Sequence, residues 1–327
     1  MSMVAALDAV QLRSGYDVER LERDLEKASR LTWGVKTWYS SEDGPGAPAA
    51  PGWKCLPVRS PGGDVSRTDP GGPGTVDFVY TPIIDHLPYV QSVIREVPGN
   101  HRAIEFLALA PGACSPVHTD YPSGFAFGWV RLHVPIITNP QCSITINGNR
   151  HYWEPGTLWY GDVSQPHHVA NESDTTRVHL VIDVEVSPEM VRIFPDSFLR
   201  ALGDDRILHN RPEVPLPAGH GLNCVFRVPA GECLTTIEPW RSSPGDDCVV
   251  TLTPAPDGRL ALSTSDGFQA TLVHVGDDTF RYLGWTDTHT LTIGRAVGNP
   301  PAIVWRFREG SRLVAETELT GRWSCLP

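Results

Sequence analysis

His118 and Asp120 stand two residues apart in the segment Pro111-Gly-Ala-Cys-Ser-Pro-Val-His-Thr-Asp120. His167 lies further along, in Asp162-Val-Ser-Gln-Pro-His-His-Val-Ala-Asn171, and Arg177 follows ten residues after it. Two imidazoles and one carboxylate on one side of a metal, with open positions opposite, are the facial ligand set of non-haem Fe(II) oxygenases. The planar fork of a downstream arginine suits a carboxylated co-substrate. Together these residues predict an Fe(II) site that works with 2-oxoglutarate and O2. With 12 histidines in the chain, about one His-x-Asp arises by chance, so the spacing takes its meaning from its setting.

That setting is β-structure. The apolar run Ile104–Ala110 reads as a buried strand closed by the Pro111-Gly112 turn. The spacing predicts His118 and Asp120 at a strand end, where alternation sends residues i and i+2 to the same face. Phe127–Ile137 alternates, which puts Trp129, Arg131 and His133 on one face. Ser143–Tyr152 carries an Asn147-Gly148 hairpin signal, and Thr176–Val186 is a strong strand with Arg177 and His179 on one face. Many short antiparallel strands at this spacing predict a mainly β fold: a double-stranded β-helix, jelly-roll and cupin-like, whose mouth is a natural metal site.

Helices flank this core in the sequence. Asp17–Ala28 has Val18, Leu21, Leu25 and Ala28 at helical spacing with Asp17 as N-cap. Ile83–Val97 is predicted helical, and Pro188–Gly203 is predicted helical with a break at Pro195. Residues 41–75 read as loops around a short strand near Trp53–Val58. Beyond a Pro-rich link over 211–221, the runs Cys248–Thr253, Arg259–Ser263, Ala270–Val275, His289–Ile293 and Ala302–Phe307 predict a smaller β-rich domain over 222–327. The oxygenase domain is expected over 1–210.

Bulk properties narrow the partners. A net charge of −11 argues against a nucleic-acid binder, since phosphate contacts need Lys and Arg in excess. No run approaches a membrane span, and Met1–Asp8 makes a poor signal peptide. Seven scattered cysteines without a Cys-x-x-Cys pair argue against disulfides and zinc ribbons, so a cytoplasmic enzyme is expected. Cys114, near the ligands, is expected to be a buried structural thiol.

The chain resembles the aspartyl/asparaginyl β-hydroxylase family, which includes bacterial free-proline hydroxylases. The resemblance is carried by Leu109-Ala-Pro-Gly112 before His118-Thr-Asp120, by Arg131-Leu-His-Val-Pro-Ile136, by Trp153-Glu-Pro-Gly156, and by the segments 162–171 and 177–183. It spans roughly residues 80–185 and has no counterpart for the C-terminal region. It implies that His118, Asp120 and His167 hold Fe(II) and that Arg177 pairs with the distal carboxylate of 2-oxoglutarate. His167 is preferred to His168 because it fits the family's His-x-Val-x-Asn pattern.

Arg131 and His133 are expected to contact a carboxylate of the co-substrate or of an amino-acid substrate. Trp129, Trp153 and Trp159 are expected in the core, and His151, His179 and Asn171 are expected to be structural. The substrate implied is an amino-acid side chain, free, carrier-tethered or within a peptide. The extra C-terminal domain tilts the expectation toward a larger partner. Two other classes share these ligands: a cupin-type metalloenzyme that does not use 2-oxoglutarate, and a non-catalytic jelly-roll binding module. Oligomeric state is left open.

Overall fold

Alternating apolar residues on the central strands decide how this chain folds. A computed structural model describes residues 7–37, 49–120, 122–217, 221–229, 247–294 and 301–323. The leading residues 1–6, residues 41–48 of the expected loop segment and residues 218–220 of the Pro-rich link lie outside the described residues. The chain divides into two compact units, one of Met1–Gly72 with Phe78–Ile207 and one of Pro73–Asp77 with Leu208–Pro327.

The first unit is a jelly roll. Its strands are β1 (Ala9–Arg13), β2 (Gly34–Val35), β3 (Trp53–Pro61), β4 (Phe78–Tyr80), β5 (His101–Leu109), β6 (Trp129–Ile137), β7 (Cys142–Ile146), β8 (Asn149–His151), β9 (Leu158–Gly161), β10 (His167–Asn171) and β11 (Arg177–Glu185). The larger sheet runs in the order β1-β9-β6-β11-β5-β3-β2, with β4 paired to β3; the smaller runs β10-β7-β8. Asn147 and Gly148 join β7 to β8 with φ of 50° and 83°, the left-handed pair that a tight hairpin turn demands.

Period-2 alternation gives the larger sheet two different faces. Ile104 and Phe106, Val130, Leu132 and Val134, and Leu180 and Ile182 point to one side and form the main apolar core with the helices. Between the two sheets lie Leu107, Leu109, Ile144, Ile146, Trp153, Val169 and Val181. The same inner face carries the polar residues Glu105, Arg131, His133, Arg177, His179 and Asp183, all buried.

The helix α1 (Val18–Ser29) starts where expected, with Asp17 accepting the Arg20 N–H at 3.0 Å. The expected helix over Ile83–Val97 is split instead. A 3-10 turn covers Pro82–His86 and α2 covers Pro88–Arg95, because Pro88 is tolerated only in a first helical turn. The carboxylate of Asp24 on α1 caps α2 from outside, accepting from Tyr89 N at 2.8 Å and Val90 N at 3.0 Å. Two short helices, α3 (Pro188–Val191) and α4 (Asp196–Leu202), flank the break at Pro195.

The second unit is a closed antiparallel barrel of β12 (Cys224–Val228), β13 (Cys248–Pro254), β14 (Leu260–Thr264), β15 (Gln269–His274), β16 (Thr279–Tyr282), β17 (His289–Gly294), β18 (Ala302–Glu309) and β19 (Arg312–Trp323). Each strand pairs with the next, and β12 pairs with β19. Eight strands leave a bore that side chains can fill. Phe226, Phe280, Tyr282, Leu291, Trp305 and Phe307 are all buried on one face of their strands. β12, β16 and β19 lie outside the strand runs expected from the sequence. Among the described residues no helix is long and apolar enough to cross a membrane.

Candidate metal centre and co-substrate pocket

His118, Asp120 and His167 converge, each offering one ligand atom, with these atoms all within 4.8 Å of one another. The route to this convergence differs from the expected strand end. β5 stops at Leu109, and the chain from Pro111 to Asp120 is a loop, since the Pro111-Gly112 turn and Pro116 interrupt any ladder. His118 is held by an isolated antiparallel bridge to His167, with N–H···O distances of 2.9 and 2.8 Å. The Asp120 N–H donates to the Val163 carbonyl at 2.8 Å.

Backbone carbonyls set the tautomers of both imidazoles. His118 Nδ1 lies 2.8 Å from Pro116 O, and His167 Nδ1 lies 3.0 Å from Gln165 O. A carbonyl only accepts, so each Nδ1 carries the proton and each Nε2 keeps its lone pair for a metal. Burial lowers the pKa of His167, which also favours the neutral ligand form. His168 alternates away from His167 along β10 and is only half-buried. Asp120 divides its two oxygens: Oδ1 is 3.6 Å from His118 Nε2, while Oδ2 accepts from Arg131 Nη1 at 2.5 Å.

A second polar group lies on the inner face of the larger sheet. Arg177 is fully buried, and its Nη2 donates to His179 Nδ1 at 3.0 Å. Among the described residues it has no carboxylate partner, and burial pushes its pKa down to about 10. Because guanidinium only donates, His179 Nδ1 accepts, and the neutral ring carries its proton on Nε2. That Nε2 is buried with no partner among the described residues, as are both ring nitrogens of His133 and Nε1 of Trp153. Burial first, and then the Arg177 charge, drive the pKa values of His133 and His179 well below the ordinary imidazole value. The His133 ring lies 5.1 Å from Trp153 and 5.7 Å from His179.

Arg131 is engaged elsewhere. Its Nε and Nη2 bond both oxygens of Asp183 at 2.8 and 2.9 Å, and its Nη1 bonds Asp120. Burial opposes this charge, but Asp183 and Asp120 raise its pKa overall. The expected buried thiol is not found at Cys114, which is exposed because its backbone bridges Ala170 and leaves the side chain at the surface. Asn171 is structural as expected, donating to Leu109 O, Ala110 O and Thr175 O. His151 bonds Asp8 at 2.8 Å. His179, expected to be structural, bonds Arg177, and Asp183, for which no role is expected, bonds Arg131. Their positions two and six residues after Arg177, on the same strand face, were the available signal.

A jelly roll with a His-Asp-His cluster and a buried guanidinium that has no carboxylate partner among the described residues is the arrangement that suits a metal-binding class of β-protein. Within that class, residues 18–186 match the family model of the aspartyl/asparaginyl beta-hydroxylases, and the chain belongs to that family. Over 123 residues it is 32% identical to L-proline cis-4-hydroxylase of Rhizobium meliloti (strain 1021), covering 37% of this chain and 41% of that protein. The chain thus matches less than half the length of that relative. An oxidoreductase of the 2OG-Fe(II) oxygenase family from Burkholderia pseudomallei superposes with a TM-score of 0.39 at 12% identity, over 56% of this chain and 86% of that one. A Pseudomonas putida prolyl-4-hydroxylase superposes with a TM-score of 0.34 at 14% identity, over 56% and 94%.

Proposed function

We propose that the first unit hydroxylates an unactivated carbon of an amino-acid side chain, using Fe(II), 2-oxoglutarate and O2. The balance is R–H + 2-oxoglutarate + O2 giving R–OH + succinate + CO2. The observation that carries this reading is the buried cation Arg177, which has no carboxylate partner among the described residues, together with imidazole nitrogens that lack partners there and a convergent His-Asp-His set. A buried charge and unpaired buried donors are costly unless something fills the site. A dicarboxylate would satisfy them: one carboxylate on Arg177 and the His179 Nε2–H, with His133 and Trp153 as further partners. Family membership supports the same assignment.

In this reading His118, Asp120 and His167 would hold the iron, which would supply oxidising chemistry when bound. Arg177 orients the co-substrate by a two-pronged contact that fixes direction as well as affinity. Arg177, His133 and His179 are buried between the sheets, and burial strengthens each polar contact made there. Trp53 packs edge-on against His118 at 6.3 Å and borders a cavity of about 400 Å³, together with Val35, Ala49, Gly52 and Pro116. This apolar space beside a ligand is the place proposed for the substrate. The substrate is assigned as an amino acid, free, carrier-tethered or in a peptide.

The test is Fe(II)-dependent conversion of 2-oxoglutarate to succinate by the full chain, with free amino acids including proline and aspartate, followed by mass spectrometry for a product heavier by one oxygen. Turnover with a +16 product supports the reading. Metal binding without succinate formation on any substrate would refute it.

A further inference from the structure

Asp120 presents its two oxygens to different partners, Oδ1 toward His118 Nε2 and Oδ2 to Arg131 Nη1. A carboxylate that turned both oxygens to a metal would occupy two coordination positions, one of which the facial arrangement leaves open. Something must hold Oδ2 back, and Arg131 does so. An arginine side chain is long, and its guanidinium can follow whichever carboxylate pulls hardest.

Three carboxylates act on Arg131: Asp183, Asp120 and Glu105. Glu105 is already taken, its Oε1 accepting from Lys36 Nζ at 2.5 Å and its Oε2 from Cys55 Sγ at 2.8 Å. Asp183 grips Arg131 through Nε and Nη2, and that bidentate pair fixes the plane of the fork so that Nη1 points at Asp120. Asp183 faces Arg131 directly across the β6–β11 ladder, so both ends of the grip are anchored on central strands. We infer that Asp183 is a positioning residue for the metal site: through Arg131 it pins the outer oxygen of Asp120 and leaves one oxygen for the ion. Lys36 and Cys55 contribute by keeping Glu105 from competing. This inference rests on the metal site proposed above.

The experiment uses the full chain and Mn(II) or Co(II) in place of iron, so no turnover is needed. Asp183→Asn keeps the shape but breaks the bidentate grip. It is expected to weaken Mn(II) binding by about 10–100-fold, the usual effect of losing a residue behind a metal ligand, and to alter the visible spectrum of bound Co(II). A purely structural ion pair would lower the unfolding midpoint and leave both readouts of the folded protein unchanged, and that result overturns the inference. If Asp183→Asn does not fold, the charge-balanced double variant Arg131→Gln/Asp183→Asn replaces it, with the same loss expected. Wild-type affinity in the double variant also overturns the inference while the metal site stands. Absence of Mn(II) binding by the wild-type chain overturns the metal site and this inference with it.

Discussion

Arg177 Nη2 lies 3.0 Å from His179 Nδ1, and no carboxylate among the described residues balances that buried guanidinium. The two residues share one face of β11, so the strand itself holds them side by side. Arg177→Lys keeps a charge but loses the planar fork and its contact geometry. It is expected to raise the 2-oxoglutarate concentration needed for half-maximal succinate formation by about tenfold or more, corresponding to one charge-assisted hydrogen bond. Mn(II) affinity should stay at the wild-type value. An unchanged co-substrate requirement would move the anchor away from Arg177.

His167 and His168 are neighbours in sequence and opposites in space. Only His167 bridges His118 through the backbone, with ring centroids 4.2 Å apart. His167→Ala is expected to abolish Mn(II) binding and turnover, because two remaining ligands do not form a facial set. His168→Ala should leave both intact. Equilibrium dialysis of the two variants decides the matter, and the reverse pattern would transfer the ligand role to His168.

Asp24 joins two helices of the first unit. It accepts both Tyr89 N and Val90 N, which α2 cannot satisfy itself since Leu87 offers no side-chain cap. Lys27 Nζ adds a third contact at 3.0 Å. Asp24→Ala removes this external cap and is expected to destabilise the unit by about 2 kcal/mol. Urea unfolding measures it, and Asp24→Asn, which keeps one acceptor oxygen, should recover part of the loss.

His289 sets a pH dependence in the barrel. It is buried against Phe307 at a ring distance of 4.8 Å, and burial pushes its pKa down from 6.5 to about 3. Between those values the unfolded chain holds a proton that the folded barrel refuses. Stability contributed by the neutral ring is therefore full above pH 6.5 and declines as pH falls, by about 1.4 kcal/mol per pH unit from this residue. His289→Phe should make the loss of stability between pH 6.5 and pH 5 shallower by one proton, as read from urea midpoints at several pH values. An equal slope in both proteins would show that His289 is protonated in the fold.

Period-2 and period-3.6 patterns act over neighbouring residues, so much of the architecture was legible in the residue order. α1 with its Asp17 cap, the hairpin at Asn147-Gly148, and strands β5, β6 and β11 could be read this way. The same local rule placed Arg131 with His133 and Arg177 with His179 on shared faces, whereas His118, Asp120 and His167 stood out by residue type and by the family resemblance. What it could not supply was any relation between residues distant in sequence. The bridge between His118 and His167, the cap from Asp24 to α2, and the clamp from Asp183 through Arg131 to Asp120 each join different elements. The barrel's closure between β12 and β19 is of the same kind. Local periodicity reports which way a side chain points, whereas its partner depends on which strands pair. That pairing exists only once the apolar faces have been buried against one another.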